Sequence, residues 1–418
     1  MNSIGESVMG RHRAGQYRIP ASGFSLVEVM VGLVIGMVAM IVVMQVFSAS
    51  EATKRTTTGG SDAVTNGAMA LYLVKREVAM AGWGLDASLY MGKTSTTTSI
   101  VPGCVTLNHF CSGDPSCVSA DWSFAPVTIT DGAGGGPDTI TVRYFSDPEN
   151  GNFVPPSTGT AYSNAQDASS VPQLKVSANF ACKVGDLVLV GDPTGTTCTL
   201  VQVSGAPGTT TGNLLLPHQS GGGSTHAYND PLWDPVTGKP PIVTSNVTLA
   251  TCFTPSNTGP SSQRIYSIDA GKGALLRSDT RAGIAGETAA DGIVDMQAQY
   301  GIAADGSQKV SSWVDATPAA GWDSPAPKAG TSGSTTTNRL QNIKAVRIAL
   351  LARSAQYEKP SSGSSCDATT GSPGTPGTSG WSTWATFKTD NYVADWRCYR
   401  YKAFEIVVPI RNVMWGTS

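Results

Sequence analysis

Residues 24 to 47, FSLVEVMVGLVIGMVAMIVVMQVF, form an apolar run with a single charged position, Glu28. As a helix this run would extend roughly 36 Å, at about 1.5 Å per residue, enough to cross the hydrocarbon of a bilayer with some tilt. The pattern then changes. Val64, Ala68, Leu71, Val74 and Val78 recur at spacings of three and four, which predicts an amphipathic helix over 48–84. Gly59–Gly60 is expected to weaken or kink it, with Ser61 or Asp62 able to cap a fresh start, and Gly82 and Gly84 to end it.

Beyond residue 85 the period shortens. DTITVRYF (138–145) alternates Ile140, Val142 and Tyr144. GDLVLVG (185–191) and CTLVQVSG (198–205) are spaced to pair through Asp192–Pro193–Thr194–Gly195, and RIYSIDAGKGALLRSD (264–279) reads as a hairpin around Gly271–Gly273. GIVDMQAQYGI (292–302), IKAVRIALLARS (343–354) and YRYKAFEIVVPIRNV (399–413) follow. The pattern predicts about eight to ten strands, paired antiparallel because no helices intervene as parallel crossovers require. Residues 204–230, 318–337 and 361–380 are rich in Gly, Ser, Thr and Pro and read as solvent loops.

Composition supports a loop-rich, β-leaning chain: 47 Gly, 25 Pro and only 14% charged residues in 418. A net charge of −2 leaves no global attraction to nucleic acid. Eight cysteines, Cys104, Cys111, Cys117, Cys182, Cys198, Cys252, Cys366 and Cys398, all follow the apolar run, and none forms a C-x-x-C. That argues against zinc and for disulfides in an oxidising compartment. Their clustering suggests local bridges within Cys104, Cys111 and Cys117 and between Cys182 and Cys198. Cys366 would tie down the loop around it. The sequence leaves the connectivity open.

The amino terminus inverts the usual order of a secretory signal, in which the small-residue cleavage site follows the apolar region. In RIPASGFSLVE the small residues Ala21, Ser22 and Gly23 precede it, after Arg11, Arg13 and Arg18. Cleavage after Gly23 would remove the basic leader and keep the apolar helix, now beginning at Phe24. The arginines would hold that end in the cytoplasm and send the rest outward. Glu28 has two readings. A first-turn acid suits a helix N-terminus. A carboxylate buried in apolar surroundings also needs a partner, and the cut would create one, the α-amine of Phe24, on the same or a neighbouring chain.

This stretch resembles the prepilin signature shared by type IV pilins and type II secretion pseudopilins. The resemblance implies cleavage by a prepilin peptidase at Gly23, N-methylation of Phe24 and an assembly role for Glu28. YLVKREVAMAGWG, DTITVRYF, GDLVLVGD, RIYSIDAGKGALLRSD, GIVDMQAQYGIAADG, IKAVRIALLARS and FEIVVPIRN further resemble, in order, the minor pilins of the PilW family. That implies an α+β, pilin-like fold, a long N-terminal helix packed on a mostly antiparallel β-rich C-terminal domain with long loops. The divisions are leader 1–23, apolar helix half 24–47, amphipathic half 48–84 and globular periplasmic domain 85–418. Implied partners are other minor pilins and the major pilin, the prepilin peptidase, the inner-membrane assembly platform, a large tip adhesin and the inner membrane. Implied location is the inner membrane and then the pilus, near its tip. A type II pseudopilin, or a membrane-tethered periplasmic enzyme or ligand-binding protein, is the alternative.

Catalytic patterns are absent: no H-E-x-x-H, G-x-S-x-G or G-x-x-x-x-G-K-[ST] occurs. DGAGGGPD (131–138) reads as a turn. His12 leaves with the leader; His109 beside Asp114, and His218 with His226, are poor metal or acid–base candidates. Asp291–Gly292 with Asp295, and Asp305–Gly306, lack EF-hand spacing. Trp381, Trp384 and Trp396 are expected in the sheet core or an interface. No catalytic residue, metal or cofactor is expected.

Overall fold

The structure, a computed structural model, describes residues 23–83, 93–94, 100–101, 106–108, 125–144, 173–177, 182–191, 197–210, 213–218, 229, 249–253, 262–280, 282–304, 307–322, 342–358, 366, 368–369, 381–388 and 394–415. The chain divides into two compact units, Met1–Thr57 and Thr58–Ser418. Helix α1 spans Leu26–Ala79.

In the first unit, α1 is apolar on every side from Leu26 to Glu51, long enough to cross a membrane, and wholly exposed. Such a surface is covered by lipid or by protein in the working state. In the polar stretch that follows, threonine hydroxyls bond back one turn without interrupting the helix: Thr53 Oγ1 donates to Ala49 O (3.0 Å) and Thr57 Oγ1 to Thr53 O (2.9 Å).

The second unit contains the strands, β1 (Lys93–Thr94), β2 (Ile100–Val101), β3 (Thr106–Asn108), β4 (Val127–Gly132), β5 (Gly136–Tyr144), β6 (Gln173–Ser177), β7 (Leu187–Gly191), β8 (Thr197–Gln202) and β9 (Gly208–Thr210). There follow β10 (Asn213–Pro217), β11 (Leu249–Phe253), β12 (Ser262–Asp269), β13 (Ala274–Asp279), β14 (Ile284–Asp291), β15 (Ile293–Ala303), β16 (Val310–Val314), β17 (Ile343–Arg353), β18 (Tyr401–Pro409) and the short helix α2 (Arg411–Trp415). Two sheets carry the core, a first in the order β14-β13-β12-β5-β4 and a second in the order β16-β15-β17-β18, both antiparallel. Smaller sheets are β11-β7-β8-β3, β6-β10-β9 and the pair β1-β2. The pairing of β3 with β8 is parallel, against the expectation of antiparallel neighbours.

The runs expected as strands fold as such at β5, β15, β17 and β18. The hairpin of β12 and β13 turns at Gly271–Gly273, where Gly273 takes a φ of 64°. β7 and β8 pair as expected; their connection, 192–196, lies outside the described residues. DGAGGGPD is indeed a turn, a short 3-10 segment between β4 and β5. The loop expected over 204–230 contains β9 and β10; most of 318–337 and 361–380 lies outside the described residues.

One core joins both sheets and the helix. Ile129, Ile140, Val142 and Tyr144 of the first sheet meet Met296, Tyr300, Val346, Ile348 and Leu350 of the second, with Ala70, Val74 and Val78 of α1. The sheets are also pinned directly: Ile129 N donates to the Tyr300 hydroxyl (2.6 Å) and Ala298 N to Asp138 Oδ2 (2.7 Å).

Two helix expectations fail. α1 runs on through Gly59–Gly60, so Ser61 and Asp62 cap no fresh start, and Val64 and Ala68 are exposed. The buried face between 59 and 70 is Gly59, Ala63, Gly67 and Ala70. These small residues admit a close approach: a Cβ at Gly59 would sit 3.3 Å from the Gln356 side chain. Val74 and Val78 are buried as expected. The helix ends before Gly82, at a φ of 77°, whose N–H bonds Arg143 O (2.8 Å).

The second sheet is covered on its outer face too. Trp381, Trp384, Ala385 and Phe387 of the segment 381–388 pack on Val294, Ala349, Leu351, Tyr401 and Ala403. That second cover explains why β17, IKAVRIALLAR, is apolar almost throughout instead of alternating. The segment is a strap. Its Ser382 hydroxyl bonds Glu405, Thr383 N reaches Glu405 Oε1 (2.6 Å), and Lys388 Nζ bonds Gly134 O. A disulfide between Cys366 and Cys398 encloses it.

Candidate functional site

The first turn of α1 is closed by its own side chains. Ser25 Oγ accepts the N–H of Val27 (3.3 Å), and Glu28 Oε2 accepts the N–H of Ser25 (3.2 Å). Ser25 O takes the first helical bond, from Val29 N (3.2 Å). This reciprocal arrangement is a capping box, S-x-x-E, and satisfies donors that a helix start leaves open. The S-x-x-E spacing of SLVE is the sequence signal of such a helix start. The neighbouring backbone is open: Phe24 is 85% exposed, and a Cβ at Gly23 would meet no atom within 4 Å. The Gly23–Phe24 peptide is therefore accessible, and Glu28 holds its carboxylate beside the residue that follows it.

In the second unit, the last turn of α1 makes a buried charge network. Glu77, 1% exposed, accepts Arg264 Nη1 (2.7 Å), Arg76 Nη2 (2.8 Å) and the Tyr144 hydroxyl. Arg264 also bonds Asp279 Oδ2 (2.9 Å) and lies 5.4 Å above the Tyr144 ring. Burial would push the Glu77 carboxyl up; Tyr144, Arg76 and Arg264 outweigh it and hold the group below the ordinary range. The phenols of Tyr144 and Tyr266 are pushed up by burial and by the Glu77 charge. Every member is engaged with another member, so the network is built to hold α1 in register on the sheet; that role for buried charge is one of specificity more than stability.

Matches to known families fall on both regions. Residues 20–44 match the prokaryotic N-terminal methylation motif, and residues 265–412 match PilW, the type IV pilus-assembly protein W. The two matches support a PilW-family type IV pilin with a prepilin-type signal. No curated protein and no solved structure matches it. The PilW match runs from Ile265 in β12 through β18 into α2, so it covers the second sheet and its strap. The blocks YLVKREVAMAGWG, DTITVRYF and GDLVLVGD lie outside it. That family implies pilus and pilin partners in general, and the apolar helix fits membrane anchoring and incorporation into a pilus.

The remaining sequence candidates are dispersed through the chain. Cys366 is bonded to Cys398, and Cys182 is disulfide-bonded as well; no described cysteine is free. Cys198 lies in β8 and Cys252 in β11, whereas Cys104, Cys111 and Cys117 fall outside the described residues. His218 is buried, and burial lowers its imidazole to about 4. His12, His109, His226, Asp114, Asp305 and Gly306 lie outside the described residues. Among the described residues no three His, Cys, Asp or Glu side chains could hold a metal. Trp381 and Trp384 pack on the second sheet, and Trp396 lies under Arg397 (5.1 Å).

Proposed function

We propose that this pilin is a minor, structural subunit, without enzymatic activity, that primes type IV pilus assembly and sits near the filament tip. Before assembly α1 crosses the inner membrane once, with the second unit in the periplasm. A prepilin peptidase cuts between Gly23 and Phe24, and the new amine of Phe24 is methylated. Other minor pilins, the major pilin, the inner-membrane platform and a large tip adhesin are its partners, and adhesion or twitching motility its outcome.

The capping box is the observation that carries the reading. Cleavage at the accessible Gly23–Phe24 bond frees an amine one residue before Ser25, whose N–H Glu28 already holds. The carboxylate is then poised at a new positive charge, on its own chain or on a neighbour, and an apolar helix bundle makes that pairing costly to omit. The test is the mass of the N-terminal peptide from membrane and sheared-pilus fractions. The reading expects a peptide starting at N-methylated Phe24. A peptide retaining residues 1–23, or one starting after residue 47, would overturn it.

A further inference from the structure

Asp295 lies in β15 on the face that the strap covers, and it is fully buried. Its Oδ1 accepts Gln297 Nε2 (3.0 Å), and the main-chain amides of Lys388 and Met296 also bond the carboxyl. Its Oδ2 has no hydrogen-bond partner.

Ionisation would leave a charge on a buried carboxyl whose Oδ2 has no partner, and the described residues around it supply no cation. Across the sheet β17 places Leu351 opposite it, and β18 places Ala403 beyond Leu351. Farther along the same face, Arg347 bonds Gln299 Oε1 (2.8 Å) between the rings of Trp313 and Trp384, Arg353 lies over Tyr399 (4.8 Å), and Glu405 is occupied by Ser382 and Thr383. The β4–β5 turn brings Asp131 and Asp138, which are acidic like Asp295, and Asp315 follows β16. Lys388, the cation of the strap, spends its ammonium on Gly134 O.

We propose that Asp295 is a neutral acid beneath the strap, and that its ionisation loosens residues 381–388 from the outer face of the second sheet. The strap is then a proton-dependent latch. Burial pushes the Asp295 carboxyl up to about 6, against the opposing pull of Gln297 and the Lys388 amide. The group binds its proton more tightly when covered than when free, where an aspartate titrates near about 3.9. Its contribution is therefore full in acid and is lost as pH rises through about 6. Release would uncover Val294, Ala349 and Leu351 without freeing the strap, because Cys366 and Cys398 still bracket it.

Hydrogen–deuterium exchange on the oxidised, detergent-solubilised full chain tests this, with rates corrected for intrinsic pH dependence. Between pH 5 and 8, protection of peptides from 381–388 should fall by about tenfold, the change that a shift of about two pKa units allows over that range, while peptides from β17 stay protected. Asp295→Asn should keep the strap protected at both values. A flat profile in the unaltered protein overturns the latch, as does an unchanged pH response in Asp295→Asn. If that variant fails to fold, the profile of the unaltered protein decides alone.

Discussion

Gly67 of α1 lies so close to the ring of Phe404 in β18 that a Cβ at Gly67 would come 2.1 Å from Cε2. Helix propensity alone favours Ala over Gly by about 1 kcal/mol. Here the ring sits where the methyl group would go. Gly67→Ala should therefore destabilise by about 1–3 kcal/mol, the usual cost of overpacking. At Gly60 an added Cβ meets no atom within 4 Å, so Gly60→Ala should be neutral or stabilise by up to about 1 kcal/mol. Thermal midpoints of the two variants check the contrast; equal shifts would refute the close-packing account.

Glu77→Gln removes the charge that Arg264 and Arg76 share while keeping the volume. Arg264 retains Asp279 at 2.9 Å, so the loss should fall toward the lower end of the roughly 3–5 kcal/mol seen when a buried pair is broken. A urea midpoint indistinguishable from the parent protein would show that the network contributes nothing to stability.

Asp138 makes stability depend on pH. Burial pushes its carboxyl up to about 7, against the backbone donors Gly132 and Ala298, with Asp131 and Asp295 adding to the rise. The folded state thus holds a proton that the unfolded chain releases near about 3.9. Stability from this group is full in acid and declines as pH climbs through about 7. The urea midpoint should drop between pH 5 and pH 8, by an amount on the order of 1–3 kcal/mol. A rise over that interval would contradict the assignment.

Glu28→Ala should still be cut at Gly23, because the scissile peptide is exposed independently of the capping box. It should fail to enter filaments, since the carboxylate that would meet a Phe24 amine is gone. Immunoblots for processed protein in membrane and sheared-pilus fractions separate the two steps. Normal piliation with Glu28→Ala would remove the charge-pairing argument. Replacing Gly23 with a bulky residue should instead leave the longer precursor in the membrane.

Much of the sheet was legible because alternation of side chains reports directly which positions are buried. Gly271–Gly273 marked a hairpin for the same local reason. The burial phase of α1 was not. Val64 and Ala68 are the more apolar choices, but Gly59, Ala63 and Gly67 face inward, since closeness of backbone decides that contact and hydropathy does not register it. The charge of Glu28 stands out in its apolar run, whereas its capping role shows only in its three-residue spacing from Ser25. Glu77 carried no local signal at all. Its partner Arg264 lies 187 residues along the chain, and no periodicity links positions so far apart. Trp381 and Trp384 lie on the sheet as their bulk led one to expect, but nothing local marks 381–388 as the strap that covers its outer face.

The Cys366–Cys398 bond has a consequence for any protease that reaches the segment it encloses. A single cut anywhere between those cysteines opens the backbone without dividing the molecule, since the bond joins the two fragments and Phe387 remains seated. Such a nicked subunit would run as one band without reductant and as two with it.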